Sequence, residues 1–200
     1  MRMRPEDILP TYNALAVEWD TQRSQALFER KWLDRMLNLA PGKSVLDIGC
    51  GAGRPIARYL LEKGATVTGL DGAPAMLNLF QSNLPDARVI LADMRGVDLG
   101  ETFDALLAWN SFFHLSADEQ GAMFAVFARH ANPSAALMFT SGPRKSERIG
   151  QVAGQSVYHA SLDPSEYESL LNANGFRVKH FRPEDPECAG HTIWLAEFTA

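Results

Sequence analysis

The chain has 200 residues, enough for one domain whose core needs no disulfide or metal to hold it. Nineteen Lys and Arg against twenty-four Asp and Glu leave a net charge of −5, which argues against a broad nucleic-acid-binding face. Cys50 and Cys188 are too few for a disulfide framework or a cysteine zinc site, no apolar run predicts a membrane span, and the opening MRMRPEDILP lacks the apolar stretch of a secretory signal. The expectation is a cytoplasmic protein with no metal site. No repeat or linker divides the chain, so residues 1–200 read as a single domain.

Residues 1–40 read as helical. Phe28, Trp32, Met36 and Leu39 form one stripe, with Leu27, Leu33 and Leu37 beside it, and Pro41-Gly42 ends the segment. Ser44 to Ile48 is a short apolar strand. A helix follows from about Arg54 to Lys63, closed by Gly64. Thr66 to Leu70 is a β-branched strand. Pro74 opens the next helix, which runs to about Asn83. Ala87 to Leu91 and Phe103 to Ala108 are strands. Ser116 and Glu119 form a capping box for a helix that turns Met123, Phe124, Val126 and Phe127 inward. Ala135 to Thr140 is a further strand.

Residues 142–161 show no period and contain Arg144, Lys145 and Arg148. They read as a long surface loop suited to act as a lid. Asp163, Pro164 and Glu166 start another helix, and Gly175 closes it. Phe176 to Phe181 and Thr192 to Phe198 read as an antiparallel pair at one end of the sheet. The alternation of strands and helices predicts an α/β fold: a mostly parallel, Rossmann-like sheet with helices on both faces and a C-terminal antiparallel hairpin.

The strongest motif is Asp47-Ile48-Gly49-Cys50-Gly51-Ala52-Gly53, between a strand and a helix. Glycines there let a ligand approach the main chain, and the helix start offers unpaired N–H groups. The dinucleotide fingerprint Gly-x-Gly-x-x-Gly fails, because Arg54 and Ile56 stand where its third glycine belongs. Gly42-Lys43-Ser44 is not a phosphate loop, since Leu37 replaces the first glycine and a strand follows. Asp71 is the first residue after the second strand, where one carboxylate can accept from both hydroxyls of a ribose. Asp93-Met94 follows the third strand, placing an acid for a nucleobase amine and a thioether for its ring. Three adjacent strand ends thus describe one pocket.

These residues together resemble the class I S-adenosylmethionine-dependent methyltransferases, over Tyr12 to about Phe198. The resemblance implies a seven-stranded sheet, S-adenosylmethionine as cofactor and transfer of its methyl group to a small-molecule acceptor. It implies that Asp47, Gly49, Gly51 and Gly53 shape the turn beside the methionine part. Asp71 would hold the ribose, with Gly72 and Met76 flanking ribose and adenine. Asp93 would meet the adenine amine and Met94 its ring edge. Trp109 and Asn110 would stand near the transferred methyl, and the N-terminal helices of residues 1–40, Tyr12 among them, would cover the cofactor site. Trp19 and Ala73 depart from the family's common tyrosine and serine.

The segment from Trp109 to Leu115 lacks the paired prolines of amino-methylating nucleic-acid enzymes, which with the acidic charge argues against a nucleic-acid partner. Trp109, Phe112 and Phe113 form a candidate aromatic wall near the sulfonium. His114 is the candidate general base, and Tyr158 and His159 are candidate substrate contacts. His130, His180 and His191 read as incidental. Two other readings remain at this stage: a non-catalytic S-adenosylmethionine-binding protein and an NAD-linked oxidoreductase. Oligomeric state is not legible.

Overall fold

The computed structural model describes residues 3–200. Its helices are α1 (Ile8–Gln22), α2 (Arg30–Leu39), α3 (Ile56–Glu62), α4 (Pro74–Asn83), α5 (Ala117–Arg129) and α6 (Pro164–Ala173). Its strands are β1 (Ser44–Ile48), β2 (Thr66–Asp71), β3 (Arg88–Leu91), β4 (Phe103–Ala108), β5 (Ala131–Ser141), β6 (Ser146–Val152), β7 (Gln155–Ser161), β8 (Phe176–Asp185) and β9 (His191–Phe198). Seven strands form one sheet in the order β3-β2-β1-β4-β5-β9-β8. β1 to β5 pair in parallel, and β9 lies antiparallel between β5 and β8.

The sheet is covered on both faces, so its central strands are mostly apolar rather than alternating. Leu46, Ile48, Leu106, Leu137 and Phe139 face α5 and α6 in one core. Val45, Val67, Leu107 and Met138 face α2 and α3 in the other. Both capping boxes expected from sequence form, at Ser116/Glu119 and at Asp163/Glu166. The chain leaves β3 and returns to β4 on the far side of β1. The crevice beyond the ends of β1 and β4 is therefore the switch point at which open α/β sheets bind ligands.

Four expectations are corrected. Residues 142–161 are not a structureless loop. β6 and β7 form a two-stranded antiparallel hairpin of their own, joined by Ala153-Gly154 with both φ positive (48° and 75°). That is a tight hairpin turn lacking the Asn-Gly that normally announces one. β5 begins at Ala131 because it continues through the irregular step at Pro133-Ser134, where the pairing with β4 shifts register. β8 runs on to Asp185. It is an exposed edge strand, so it shows no apolar alternation to mark its length.

The fourth concerns residues 1–40, which divide in role. α1 lies over α4, where Ala16, Ala73 and Met76 pack together. Asn13 Oδ1 accepts the free N–H of Ala75 in the first turn of α4, at 2.9 Å. α2 instead buries Trp32, Leu33 and Met36 in the sheet core and is not a cover.

Candidate active site

The turn after β1 reverses the chain sharply. Gly49 has φ 75°, and a Cβ there would stand 2.3 Å from the Cβ of Ser111. Ser111 in turn donates its hydroxyl to the Ile48 carbonyl at 2.6 Å, tying the ends of β1 and β4 together. Gly51 has φ 54°, and the Trp19 ring of α1 lies 3.2 Å from where its Cβ would be. A side chain at Gly49 would collide outright, and one at Gly51 would be strained and press on the Trp19 ring.

Asp71 sits at the end of β2 with its carboxylate fixed. Oδ2 accepts the Gly51 N–H at 3.0 Å and Oδ1 accepts the Ala73 N–H at 2.8 Å. Burial raises its pKa, and backbone donors from Ala73, Gly51 and Gly72 oppose the rise. Asp47 is more deeply buried and makes no ion pair among the described residues. Burial, then the neighbouring Asp71 charge, push it up to about 7. Buried carboxyls without a cation are places for a cationic ligand group.

Asp93 differs from these two. Arg95 holds both of its oxygens, each at 3.0 Å from Nε, and also reaches Glu119. Burial works to raise its pKa, and the Arg95 hydrogen bonds outweigh it, leaving the group below the usual carboxylate value.

His114 lies on a short 3-10 turn after β4, almost fully buried. Its Nδ1–H donates to the Tyr158 carbonyl at 2.8 Å, so Nε2 accepts the Tyr12 hydroxyl at 3.0 Å. Burial lowers its pKa to about 4, which keeps the ring neutral at physiological pH. The expectation of a base lone pair open to an acceptor is thus corrected: Tyr12 occupies it.

Asn110 takes φ 49°, a conformation asparagine tolerates, and exchanges hydrogen bonds with Thr140. Its side-chain amide donates to His191 Nε2 at 2.9 Å, while His191 Nδ1–H donates to the Cys188 carbonyl at 2.8 Å. The His191 ring is stacked between Trp109, at 5.3 Å, and Phe28, at 5.5 Å. The buried Trp109 indole N–H has no acceptor among the described residues.

One cavity of about 760 Å³ joins these groups, within the range of small-ligand sites. Tyr12, Asp47, Gly49, Gly51, Gly53, Asp71, Gly72, Met76, Asp93, Met94, Trp109, Asn110 and His114 all line it. The aromatic wall is corrected in one member. Trp109 and Phe113 reach the cavity, whereas Phe112 is packed among Phe124, Phe127 and Phe139. His159 lines the cavity against Phe113 and His114, while Tyr158 packs with Ile8 and Val157.

His191 was not incidental, and sequence reasoning also missed Leu9, Arg23, Ser141, Arg144 and Arg148. Only parity along a hairpin would have found the last of these. His130 is a satisfied core group between the Val126 carbonyl and the Leu99 N–H. Among the described residues, no cluster of His, Cys, Asp and Glu is arranged to hold a metal, and no helix is long and apolar enough to cross a membrane.

Comparison with known proteins agrees with this architecture. Residues 45–134 match the family model described as a methyltransferase domain. A dTDP-3-amino-3,4,6-trideoxy-alpha-D-glucopyranose N,N-dimethyltransferase of Streptomyces venezuelae is 35% identical over 97 residues, 48% of this chain and 40% of that protein. A ubiquinone biosynthesis O-methyltransferase of Pseudomonas fluorescens is 32% identical over 116 residues, 55% of this chain and 48% of that protein. The aligned part thus spans less than half the length of these relatives. An amino pentose methyltransferase of Micromonospora echinaspora, solved with S-adenosylmethionine bound, superposes with a TM-score of 0.72 at 22% identity, over 94% of this chain and 97% of that one. The fold is that of the class I S-adenosylmethionine-dependent methyltransferases. Within that fold, residues 45–134 carry the match to the methyltransferase-domain model.

Proposed function

We propose that this protein transfers the methyl group of S-adenosylmethionine to a small-molecule acceptor. The observation that carries the reading is the Asp71 carboxylate, locked by the Gly51 and Ala73 N–H groups at the mouth of the glycine turn. A carboxylate held this way still has lone pairs directed outward for a ribose diol. The cavity fits the cofactor in two further respects. Gly51 leaves bare backbone under Trp19, and Asp47 offers a buried acid to an ammonium group.

When bound, the cofactor supplies the electrophilic methyl, so the protein's task is to position and desolvate an acceptor. Asp47, Gly49, Gly51 and Gly53 would take the methionine part, and Asp71, Gly72 and Met76 the ribose. Met94 and the Asp93 backbone region would take the adenine, the Asp93 carboxylate being already engaged by Arg95. Trp109, Asn110 and Phe113 would face the reacting end. The Tyr12 hydroxyl would contact the acceptor, and His114 Nε2, which accepts from that hydroxyl, would hold it in place, so that His114 is a positioning residue. We read residues 3–200 as one catalytic domain covered by α1. We also place it in the cytoplasm, consistent with its two free cysteines.

The relatives methylate an amino sugar nucleotide or act in ubiquinone biosynthesis, which supports a small acceptor without naming it. A thermal-shift experiment tests the reading. S-adenosylmethionine and S-adenosylhomocysteine should raise Tm, and NAD and ATP should not. A ligand at a hundredfold excess over its Kd stabilises by about 2.7 kcal/mol. A shift with NAD alone would overturn the assignment in favour of an oxidoreductase.

A further inference from the structure

Five arginines line the cavity, and their partners divide them. Arg23 pairs with Glu29, Arg54 with Asp20, and Arg95 with Asp93 and Glu119. Arg144 and Arg148 pair with no carboxylate among the described residues, although both reach the cavity. Glu184, also at the rim, is within ion-pair distance of neither.

The hairpin explains their direction. Side chains alternate along a strand, and Ser146, Arg148 and Val152 share the parity that faces the cavity. Arg148 stands directly opposite His159 in the β6–β7 register, and Ser146 opposite Ser161. His159 and Ser161 also line the cavity. Gly150 completes the face, with the His159 ring lying where its side chain would go, Cε1 being 2.8 Å from a built Cβ. The nearby imidazoles add no charge, since His159 and His114 are both held neutral, with pKa about 4. The cavity is therefore polarised. Acids Asp47 and Asp71 occupy the β1–β2 end, and two uncompensated guanidinium groups occupy the wall made by β6 and the segment before it.

We infer that Arg144 and Arg148 form an anion subsite that selects acceptors bearing a carboxylate or a phosphate. This rests on the reading of the cavity as a methyl-transfer site. Guanidinium groups bind either anion through paired, charge-assisted hydrogen bonds. Such an anchor holds one end of the acceptor at the hairpin and leaves the other end at Tyr12 and Phe113.

The test is calorimetric titration into protein saturated with S-adenosylhomocysteine, using benzoate, phenyl phosphate, benzyl alcohol and benzylammonium as probes. The two anions should bind at least about tenfold more tightly than the alcohol, and the cation should not bind. The relative strength of benzoate and phenyl phosphate separates carboxylate from phosphate acceptors. The double variant Arg144→Gln/Arg148→Gln should remove the preference and leave S-adenosylhomocysteine affinity unchanged. Equal binding of the alcohol, an unaltered preference in the variant, or no anion binding while S-adenosylhomocysteine still binds would overturn the inference alone. Failure of S-adenosylhomocysteine to bind would overturn the methyl-transfer reading beneath it.

Discussion

The two ends of the cavity are built differently. The end at β1, β2 and β3 is made of the segments that directly follow those strands, each a contiguous run of sequence. Its geometry is fixed by main-chain constraints: the φ of 75° at Gly49, and the two N–H groups on Asp71. The opposite end is assembled from the turn after β4, the β6–β7 hairpin and the approach to β9. Its groups meet across long separations in sequence, as Tyr12 with His114 and Asn110 with His191. Rigid, local construction suits a ligand that does not vary. Side chains gathered from loops and a hairpin can change without disturbing the sheet.

The comparison predicts that small changes at the first end are costly. Gly49→Ala should produce the largest loss. It places a methyl group against Ser111 in a left-handed conformation, for about 2–5 kcal/mol in denaturant unfolding. A loss below about 1 kcal/mol would show that the turn relaxes and that the end is not rigid.

Asp47→Asn should sharpen the same point through pH. The folded carboxyl keeps its proton to about pH 7, whereas the unfolded one releases it near 3.8. Between those values the folded state binds the extra proton, so this group's contribution to stability falls as pH rises and its cost is complete above pH 7. His114 contributes the opposite slope, since its folded pKa of about 4 lies below the ordinary imidazole value of 6.5 and stability is gained as pH rises between them. The histidine contribution cancels in the difference between variant and parent. Asp47→Asn should therefore gain up to roughly 4 kcal/mol over the parent at pH 7.5, shrinking toward zero near pH 4. Parallel stability curves for the two proteins would remove the buried, proton-holding acid from the account.

At the second end the effects should fall on turnover. His114→Gln should lower kcat about 10- to 100-fold, with KM and S-adenosylhomocysteine affinity moved much less. In the parent, turnover should show no inflection near pH 6.5 from this residue, because its ring charges only near pH 4. An inflection near 6.5 that vanishes in the variant would show His114 exposed and titrating freely. Ala153→Gly, at the hairpin turn with φ 48°, should have the smallest effect: a gain of about 0.5–1 kcal/mol in stability and unchanged cofactor affinity. Destabilisation would mean that the turn is not strained in solution.

Sequence made the first end and the sheet legible for a physical reason. Asp47 to Gly53, Asp71 and Asp93 are marked by their position at the ends of apolar runs, and a parallel sheet places those ends side by side. The hairpin was hidden because Ala153-Gly154 lacks the usual turn dipeptide and half its residues face water. His191 was hidden because its role depends on stacking between Phe28 and Trp109, residues far apart in the chain. Asp93 and Arg95 stand only two residues apart, so their ion pair is legible in the sequence alongside the ligand role.

The central claim is that Asp71 holds a ribose diol of S-adenosylmethionine. The most direct measurement is calorimetric titration of S-adenosylhomocysteine into the parent and into Asp71→Ala, beside their denaturation curves. The account predicts that affinity falls about 30- to 1000-fold, the equivalent of about 2–4 kcal/mol. Stability should fall by a smaller amount, about 1–3 kcal/mol, because the Gly51 and Ala73 N–H groups lose their acceptor. Unchanged affinity with lowered stability would contradict the claim, leaving Asp71 as a brace for the turn and the cavity without its ribose anchor.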